Sequence, residues 1–325
     1  MFFLGIDVSK SKFDVALITD SPDPQIPKRK VLQNNSDGFA KLLTWIERRA
    51  TGEVHVCMEA TGTYYEDLAT FLMRHNVKVS VVNPSCISSY ARSCSSRNKT
   101  DSADACIIAD YARARHPVPW TPPSQEEKEL KELVRRLSAL EQSKQDEENR
   151  LAAGISSAVV RRSIKKTIAF LDRQIEQLEK LISNHIDSHP GLKEDRELLI
   201  SIVGIGEKTA STILGELPNC TNFQSAKQVS AFAGACPRQY QSGSSVRGRT
   251  RMCKIGSSRL RRALYFPAMV ASRRNPVVKD LYDRLIAAGK SKMCALGAAM
   301  RKLLHIVFGV LRSRRPFDPT LIPAT

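Results

Sequence analysis

Between residues 117 and 123 the chain changes its hydrophobic period, and that change constrains the fold more than any other feature of the sequence. Pro117, Pro119, Pro122 and Pro123 fall in this short stretch. Proline lacks an amide hydrogen and holds the residue before it extended, so neither a helix nor a central strand runs through such a segment. Before it, apolar runs of strand length alternate with segments of helical spacing; after it, leucines and isoleucines recur at three- and four-residue intervals. The chain therefore holds at least two differently built parts, and its 325 residues are enough for each to bury a core.

In the first part, residues 2–6 and 13–19 read as strands on either side of a hairpin-sized turn, with a third near 30–33. Ser36 or Asp37 can cap a helix running to Arg49, and residues 53–58 return as a buried strand. Thr61-Gly62-Thr63 opens a helix over about 64–75, and 77–82 is a strand stopped by Asn83-Pro84. Three leading strands followed by β-α units predict an α/β domain with a mixed sheet and helices on its faces, the layout of the ribonuclease H-like class.

The second part opens on a charged helix, 126–150, with Leu130, Leu133, Leu137 and Leu140 on one seam. A second seam follows through Ile164, Ile168, Leu171, Ile175, Leu178 and Ile182. These are coiled-coil-type spacings, and the break at Gly154 and Ser156-Ser157 predicts two helices folded back as a hairpin arm that can serve as a dimer contact. Pro190-Gly191 ends the arm. Residues 198–210 then read helix, glycine turn, helix around Gly204 and Gly206, a pattern that can present backbone amides to a phosphate or simply turn a corner. The expected division is 1–122, 123–189 and 190–325.

Charge points to the partner. The net charge is +17, and residues 235–325 alone carry nineteen Lys and Arg against three Asp. A one-sided positive field on a segment that also has core-forming apolar spacing suits a polyphosphate, because each neutralised phosphate releases condensed counterions. The eight cysteines are scattered with no C-x-x-C pair, which favours reduced thiols over a disulfide framework or a zinc site. No apolar stretch reaches the roughly 20 residues of a membrane span and no signal peptide is evident, so a cytoplasmic protein is expected.

Against this basic background four acids occupy special positions. Asp7 closes the first apolar run and Glu59 closes the run 54–58; Asp101 and Asp104 share one face at the start of a helical pattern after Lys99-Thr100. Carboxylates at adjacent strand ends plus a pair one helical turn apart can hold Mg²⁺ (Mn²⁺ is an alternative) for phosphoryl transfer. Singly, each reads more simply as a turn residue or a cap. Far downstream, residues 239–251 place serines and glycines beside Arg247, Arg249, Arg251 and Lys254, which can clamp phosphate oxygens. Lys99, Arg238, Arg261 and Arg262 extend the candidate nucleic-acid contacts. A hydroxyl held beside such a clamp can attack phosphorus covalently.

The segments Gly5-Ile6-Asp7-Val8-Ser9-Lys10, Met58-Glu59-Ala60-Thr61-Gly62, Val82-Asn83-Pro84 and residues 97–105 resemble those of the DEDD transposases of the insertion sequence one-ten family. So do Val203-Gly204-Ile205-Gly206, residues 232–238, 242–248 and 260–265, in order over essentially the whole chain. The resemblance implies a RuvC-like nuclease domain, a helical coiled-coil arm and a mainly α C-terminal transposase domain. It implies that Asp7, Glu59, Asp101 and Asp104 are catalytic metal ligands and that Ser242 is the nucleophile, with Ser244 and Ser245 as neighbouring alternatives. It further implies a recombinase guided by a structured bridge RNA that pairs with donor and target double-stranded DNA. Strands are exchanged through 5′-phosphoserine links in a homo-oligomer, a dimer or tetramer, that brings the two sites together. Ala235-Cys236 departs from the family's usual Leu followed by Ala or Thr. Two other readings fit parts of the sequence: a metal-dependent Holliday-junction endonuclease using only the acids, and a non-catalytic RNA- or DNA-binding scaffold.

Overall fold

In a computed structural model of the chain, residues 1–21, 27–60, 62–94, 100–217, 220–239, 241–242, 246–248 and 250–321 are described. They divide into two compact units, Met1–Pro122 and Pro123–Thr325.

The first unit is built on five strands: β1 (Phe2–Val8), β2 (Lys12–Thr19), β3 (Lys28–Gln33), β4 (Val54–Glu59) and β5 (Lys78–Val82). Their order across the sheet is β3-β2-β1-β4-β5. The first three form an antiparallel meander, and β4 and β5 join it in parallel. Parallel neighbours need crossover connections. Helices α1 (Ser36–Glu47) and α2 (Glu66–Arg74) supply them, and α3 (Pro84–Ser93) and α4 (Asp101–Arg115) follow. This mixed α/β arrangement is consistent with the ribonuclease H-like layout expected from the order of apolar runs.

Local chemistry sets the boundaries. Helix α1 is capped not by Ser36 or Asp37 but by Asn35, whose side chain accepts from the Gly38 amide at 2.9 Å. Helix α2 starts at Glu66, two residues later than its spacing predicts, because Gly62 takes a left-handed turn (φ 62°) and residues 63–65 still belong to that turn.

Alternation along the strands gives the sheet two apolar faces. On one, Leu4, Ile6, Val15 and Leu32 pack with Phe39, Leu42 and Trp45 of α1 and Leu68 and Leu72 of α2. On the other, Phe3 and Cys57 meet Ile87 of α3 and Ile108 and Ala112 of α4. Helix α4 lies against β1 so closely that a Cβ on Gly5 would stand 2.1 Å from the Ala105 carbonyl oxygen and 2.3 Å from the Ala109 nitrogen. Only glycine leaves room for that approach.

In the second unit, α5 (Gln125–Ala152) starts on a capping box between Ser124 and Glu127, and α6 (Ala158–Ser188) follows a turn in which Gly154 has φ 86°. The two helices pack together: Leu130, Val134, Leu137 and Leu140 share one cluster with Leu171, Leu178, Ile182 and Ile186. The seams therefore close on each other from Leu171 onward, while Ile164 and Ile168 lie outside this cluster. Val134 is buried there, whereas Leu133 only packs against the cluster's edge.

The rest of the unit comprises α7 (Pro190–Ile200), α8 (Glu207–Glu216), α9 (Ala226–Phe232), α10 (Ser258–Ala263), α11 (Tyr265–Arg274), α12 (Pro276–Ala287) and α13 (Lys292–Ser313). Two short antiparallel pairs lie between α9 and α10. One joins β6 (Pro237–Arg238) to β9 (Arg251–Met252), and the other joins β7 (Gln241–Ser242) to β8 (Val246–Arg247). By length and composition α13 could cross a membrane, which the apolar runs of the sequence did not suggest. Leu303, Leu304 and Val307 are nevertheless fully buried among α7, α9 and α11 residues, so α13 is a central core helix of this unit. Helix α5 is tied to α8 by a bidentate pair, with Arg135 Nε donating to Glu216 Oε1 at 2.8 Å and Nη2 to Oε2 at 3.2 Å.

Candidate active site

The turn between β1 and β2 fixes which residues face each other. Val8 pairs with Phe13, so Asp7 pairs with Asp14. On the other side of β1 the parallel register sets Ile6 against Met58, which brings Glu59 level with Asp7. Side chains two apart on a strand share a face. Asp7 and Glu59 therefore point to the side of Phe3 and Cys57, where α4 lies. The result is a row of three acids, Glu59, Asp7 and Asp14, on neighbouring strands spaced about 4.8 Å apart.

Helix α4 brings the other two. The Thr100 hydroxyl accepts from the Ala103 amide at 3.2 Å and caps the helix, so Asp101 and Asp104 fall in its first turn. The close approach at Gly5 seats this end of α4 against β1, two residues short of Asp7. A sheet register thus sets Glu59 beside Asp7, and a cap places Asp101 and Asp104 in the first turn of a helix that packs on β1.

Its electrostatics carry the mark of crowded negative charge. The Asp7 carboxyl is pushed up to about 6, first by burial and then by Asp104, Asp101, Glu59 and Asp14 in turn. The last of these acids, Asp14, is 6 % exposed and was not singled out by sequence reasoning. Nor was Lys12, whose ammonium donates to Asp101 Oδ2 at 2.9 Å and to Asp14 Oδ2 at 3.3 Å. The hydrogen bond from Lys12 holds the Asp101 carboxyl below its ordinary range, and the same contact raises the lysine. Lys12 and Asp101 are both largely solvated, so the pair adds little to stability. Its importance is positional, since it sets a positive charge between the helix acids and the sheet acids.

Hard carboxylate oxygens are the donors that Mg²⁺ and similar divalent cations take. A cation is already drawn among these acids in the form of the Lys12 ammonium, so the donor set fits a divalent ion by chemistry. Among the described residues no three such side chains close up into a ligand cage. Asp7, Glu59, Asp101 and Asp104 are the side chains that would hold the ion.

The second expected site lies in the other unit. The backbone of Ser242 pairs with Val246 and that of Arg247 with Gln241, while the side chains of Ser242 and Arg247 lie outside what is described. Lys99, Ser244, Ser245 and Arg249 also lie outside the described residues. Arg238 and Arg251 stand directly opposite each other on β6 and β9, both exposed. Like charges so placed are unfavourable without an anion. Lys254 is exposed in a left-handed conformation (φ 60°). Arg261 is committed to the scaffold: its Nη1 donates to the carbonyls of Ala233 at 3.0 Å and Lys254 at 3.2 Å. Arg262 reaches Gln142 of α5 at 3.5 Å. At the glycine turn before α8, Lys208 is held in ion pairs with Glu141 and Glu179, so its charge is already matched by the helical hairpin.

Comparison with known proteins returns one theme. Residues 4–159 match a family model of the DEDD, IS110 type described as "Transposase", and residues 196–283 match one described as "Transposase IS116/IS110/IS902 family". The pilin gene-inverting protein of Moraxella bovis is 35% identical over 319 residues, covering 97% of each chain. The transposase for insertion sequence element IS1328 of Yersinia enterocolitica is 27% identical over 241 residues, covering 63% of this chain and 69% of that protein. An uncharacterized protein of insertion element IS110 from Streptomyces coelicolor is 28% identical over 150 residues, 46% of this chain and 36% of that protein.

Proposed function

The chain belongs to the IS110 family of transposases, and we propose that it cuts and rejoins DNA strands with a serine nucleophile assisted by an acid-bound divalent cation. The observation that carries this reading is the row Glu59–Asp7 beneath Asp101 and Asp104, where burial first and then the neighbouring carboxylates raise Asp7 to about 6. So concentrated a negative site in a chain of net charge +17 has a use where a phosphodiester is to be activated.

Rejoining favours serine over water. The Moraxella relative is named for inverting a gene, and inversion requires that every strand cut be sealed again. Hydrolysis discards the energy of the phosphodiester, whereas attack by the Ser242 hydroxyl on phosphorus keeps it in a phosphoserine ester. In that step the serine loses its proton, a bond forms between its oxygen and the 5′-phosphate, and the 3′-hydroxyl leaves. Attack by a 3′-hydroxyl on the ester reverses the step and frees the serine. A divalent ion at the acids supplies Lewis-acid polarisation of the scissile phosphate. In this reading Arg238, Arg251 and Lys254 hold phosphate oxygens, which their exposure supports, and Arg261 braces the Lys254 carbonyl.

In this reading residues 1–122 form the RuvC-like nuclease domain, 123–189 the arm and 190–325 the transposase domain. A structured bridge RNA selects donor and target DNA, and the protein acts as a dimer or tetramer.

The test is a covalent adduct. Wild-type protein with cognate DNA and its RNA should yield a protein–DNA species that resists denaturation, absent in Ser242→Ala although that variant still binds DNA. Cleavage by the wild type with no adduct formed would overturn the serine mechanism and leave a water-using nuclease.

A further inference from the structure

The first unit has a positively charged hollow that the acids and Ser242 do not use. It holds about 570 Å³ between the edge strand β3 and helix α1, and Arg29, Lys30, Lys41, Arg48 and Arg49 line it without a single acid. Lys41, Thr44 and Arg48 follow one another at three- and four-residue spacing and so share one stripe of α1. The helical rise puts Lys41 and Arg48 about 10 Å apart along the axis, room for successive phosphates of one strand. Arg49 is held over the Trp45 ring at 4.9 Å, which fixes its guanidinium at the rim.

Some exposed lysines on helices of this chain are matched by acids, as in Lys180 with Glu176 and Lys279 with Asp283. Among the described residues, Lys30, Lys41, Arg48 and Arg49 have no such partner. Basic residues on an edge strand can serve only to prevent edge-to-edge pairing. That purpose accounts for Lys28, Arg29 and Lys30 but not for Lys41, Arg48 and Arg49, which lie on or just after a helix and line the same hollow.

The path leads back to the acids. Arg29 and Lys30 are consecutive, so their side chains leave opposite faces of β3. Lys30 shares the α1 side with buried Leu32. Arg29 turns to the α4 side, where its Nη1 donates to the Ser102 hydroxyl at 3.3 Å, one residue after Asp101. Positive charge thus runs from the edge of the acidic row around the sheet edge into the hollow.

We propose that this groove carries the sugar–phosphate backbone of duplex DNA flanking the phosphate held at the acids, an inference that rests on the strand-exchange reading for the identity of the polyanion. A duplex whose scissile phosphate lies at Asp7 and Asp101 continues past Arg29 and meets Lys30, Lys41 and Arg48.

The experiment is equilibrium binding of the full chain in EDTA to a labelled DNA duplex and to an RNA duplex of the same sequence and length, over a range of salt concentrations. Each lost phosphate contact lowers the slope of log K against log salt by about 0.9. Lys41→Gln and Arg48→Gln should each lower the DNA slope by about that amount, while Arg74→Gln, an exposed change on α2 outside the groove, leaves it unchanged. An unchanged slope in the two groove variants overturns the proposal. A fall on RNA that equals or exceeds the fall on DNA overturns the assignment to DNA. No bond is broken in EDTA, so failure of the serine adduct leaves this readout intact, and failure here leaves the adduct test intact.

Discussion

Lys12 bonds Asp101 across 89 residues of sequence, its ammonium 2.9 Å from the carboxylate oxygen, and also reaches Asp14 at 3.3 Å. The contact ties the first turn of α4 to the sheet through a cation that belongs to the protein. A divalent ion entering among the same carboxylates must share Asp101 with it or displace it.

Replacing Lys12 with Met should therefore have opposite effects with and without metal. At pH 8 in EDTA the variant melts below the wild type, because one compensating charge has gone. Its rise in melting temperature on adding Mg²⁺ should be larger, with the apparent affinity several-fold tighter. Equal Mg²⁺ affinity in the two proteins, measured by calorimetric titration, would show that the lysine does not compete with the ion.

The pH dependence of Asp7 has a definite sign. Its folded value of about 6 lies above the ordinary 3.8, so the unfolded chain ionises more readily and neutral pH costs the fold stability. The cost is absent below about pH 4, grows as pH rises towards 6 and is complete above it. A shift of two units is worth close to 3 kcal/mol in a dry site, but Asp7 is only half-buried and solvent screening brings this to about 1–2 kcal/mol. Metal-free Asp7→Asn should be more stable than the wild type by that amount at pH 8, and the advantage should vanish at pH 4. Addition of Mg²⁺ at pH 8 should stabilise the wild type more than the variant. Chemical denaturation at the two pH values checks all three statements.

Gly5→Ala forces α4 off the sheet, because the atoms a Cβ would meet are backbone and cannot turn aside. A loss of about 1–3 kcal/mol is expected. The Mg²⁺-dependent rise in melting temperature should also shrink, although no acid has been changed. Gly52→Ala, where nothing lies within 4 Å, is the control and should change neither.

In the second unit, Glu216 is 4 % exposed and is held by Arg135 through two hydrogen bonds. Arg135→Met leaves that carboxylate buried and weakly matched by Arg259 at 4.0 Å. A destabilisation of about 2–4 kcal/mol is expected. The double change Arg135→Met with Glu216→Leu should recover most of it, as urea denaturation would show.

Much of the first unit was legible because period-two runs and their order nearly determine a mixed sheet. The acids at 7, 59, 101 and 104 stood out by lying at the ends of such runs or at a cap. Asp14 did not, since a single charged residue inside a strand looks like an outward-facing one. The signal was present in the hairpin: a turn over residues 9–11 makes Val8 face Phe13 and Asp7 face Asp14. The cap at Asn35 was missed because Asn35, Ser36 and Asp37 are all good cappers, and β3 ending at Gln33 decides among them. The strands near Ser242 are two residues long, too short for any periodicity to reveal. That Arg261 is an internal bolt rather than a free cation depends on where the carbonyls of Ala233 and Lys254 lie, which composition does not encode.

The seating of α4 on Gly5 makes the acidic site a vice with one fixed jaw. Glu59, Asp7 and Asp14 ride on hydrogen-bonded strands and cannot change their spacing without unzipping the sheet. Asp101 and Asp104 ride on one helix end, held by the close seat on Gly5, by Ile108 and Ala112 against the sheet, and by Lys12 and Arg29. Sliding or tilting of that helix would carry both of its acids together relative to the fixed sheet acids, so the aperture between them could be retuned from positions outside the acids themselves.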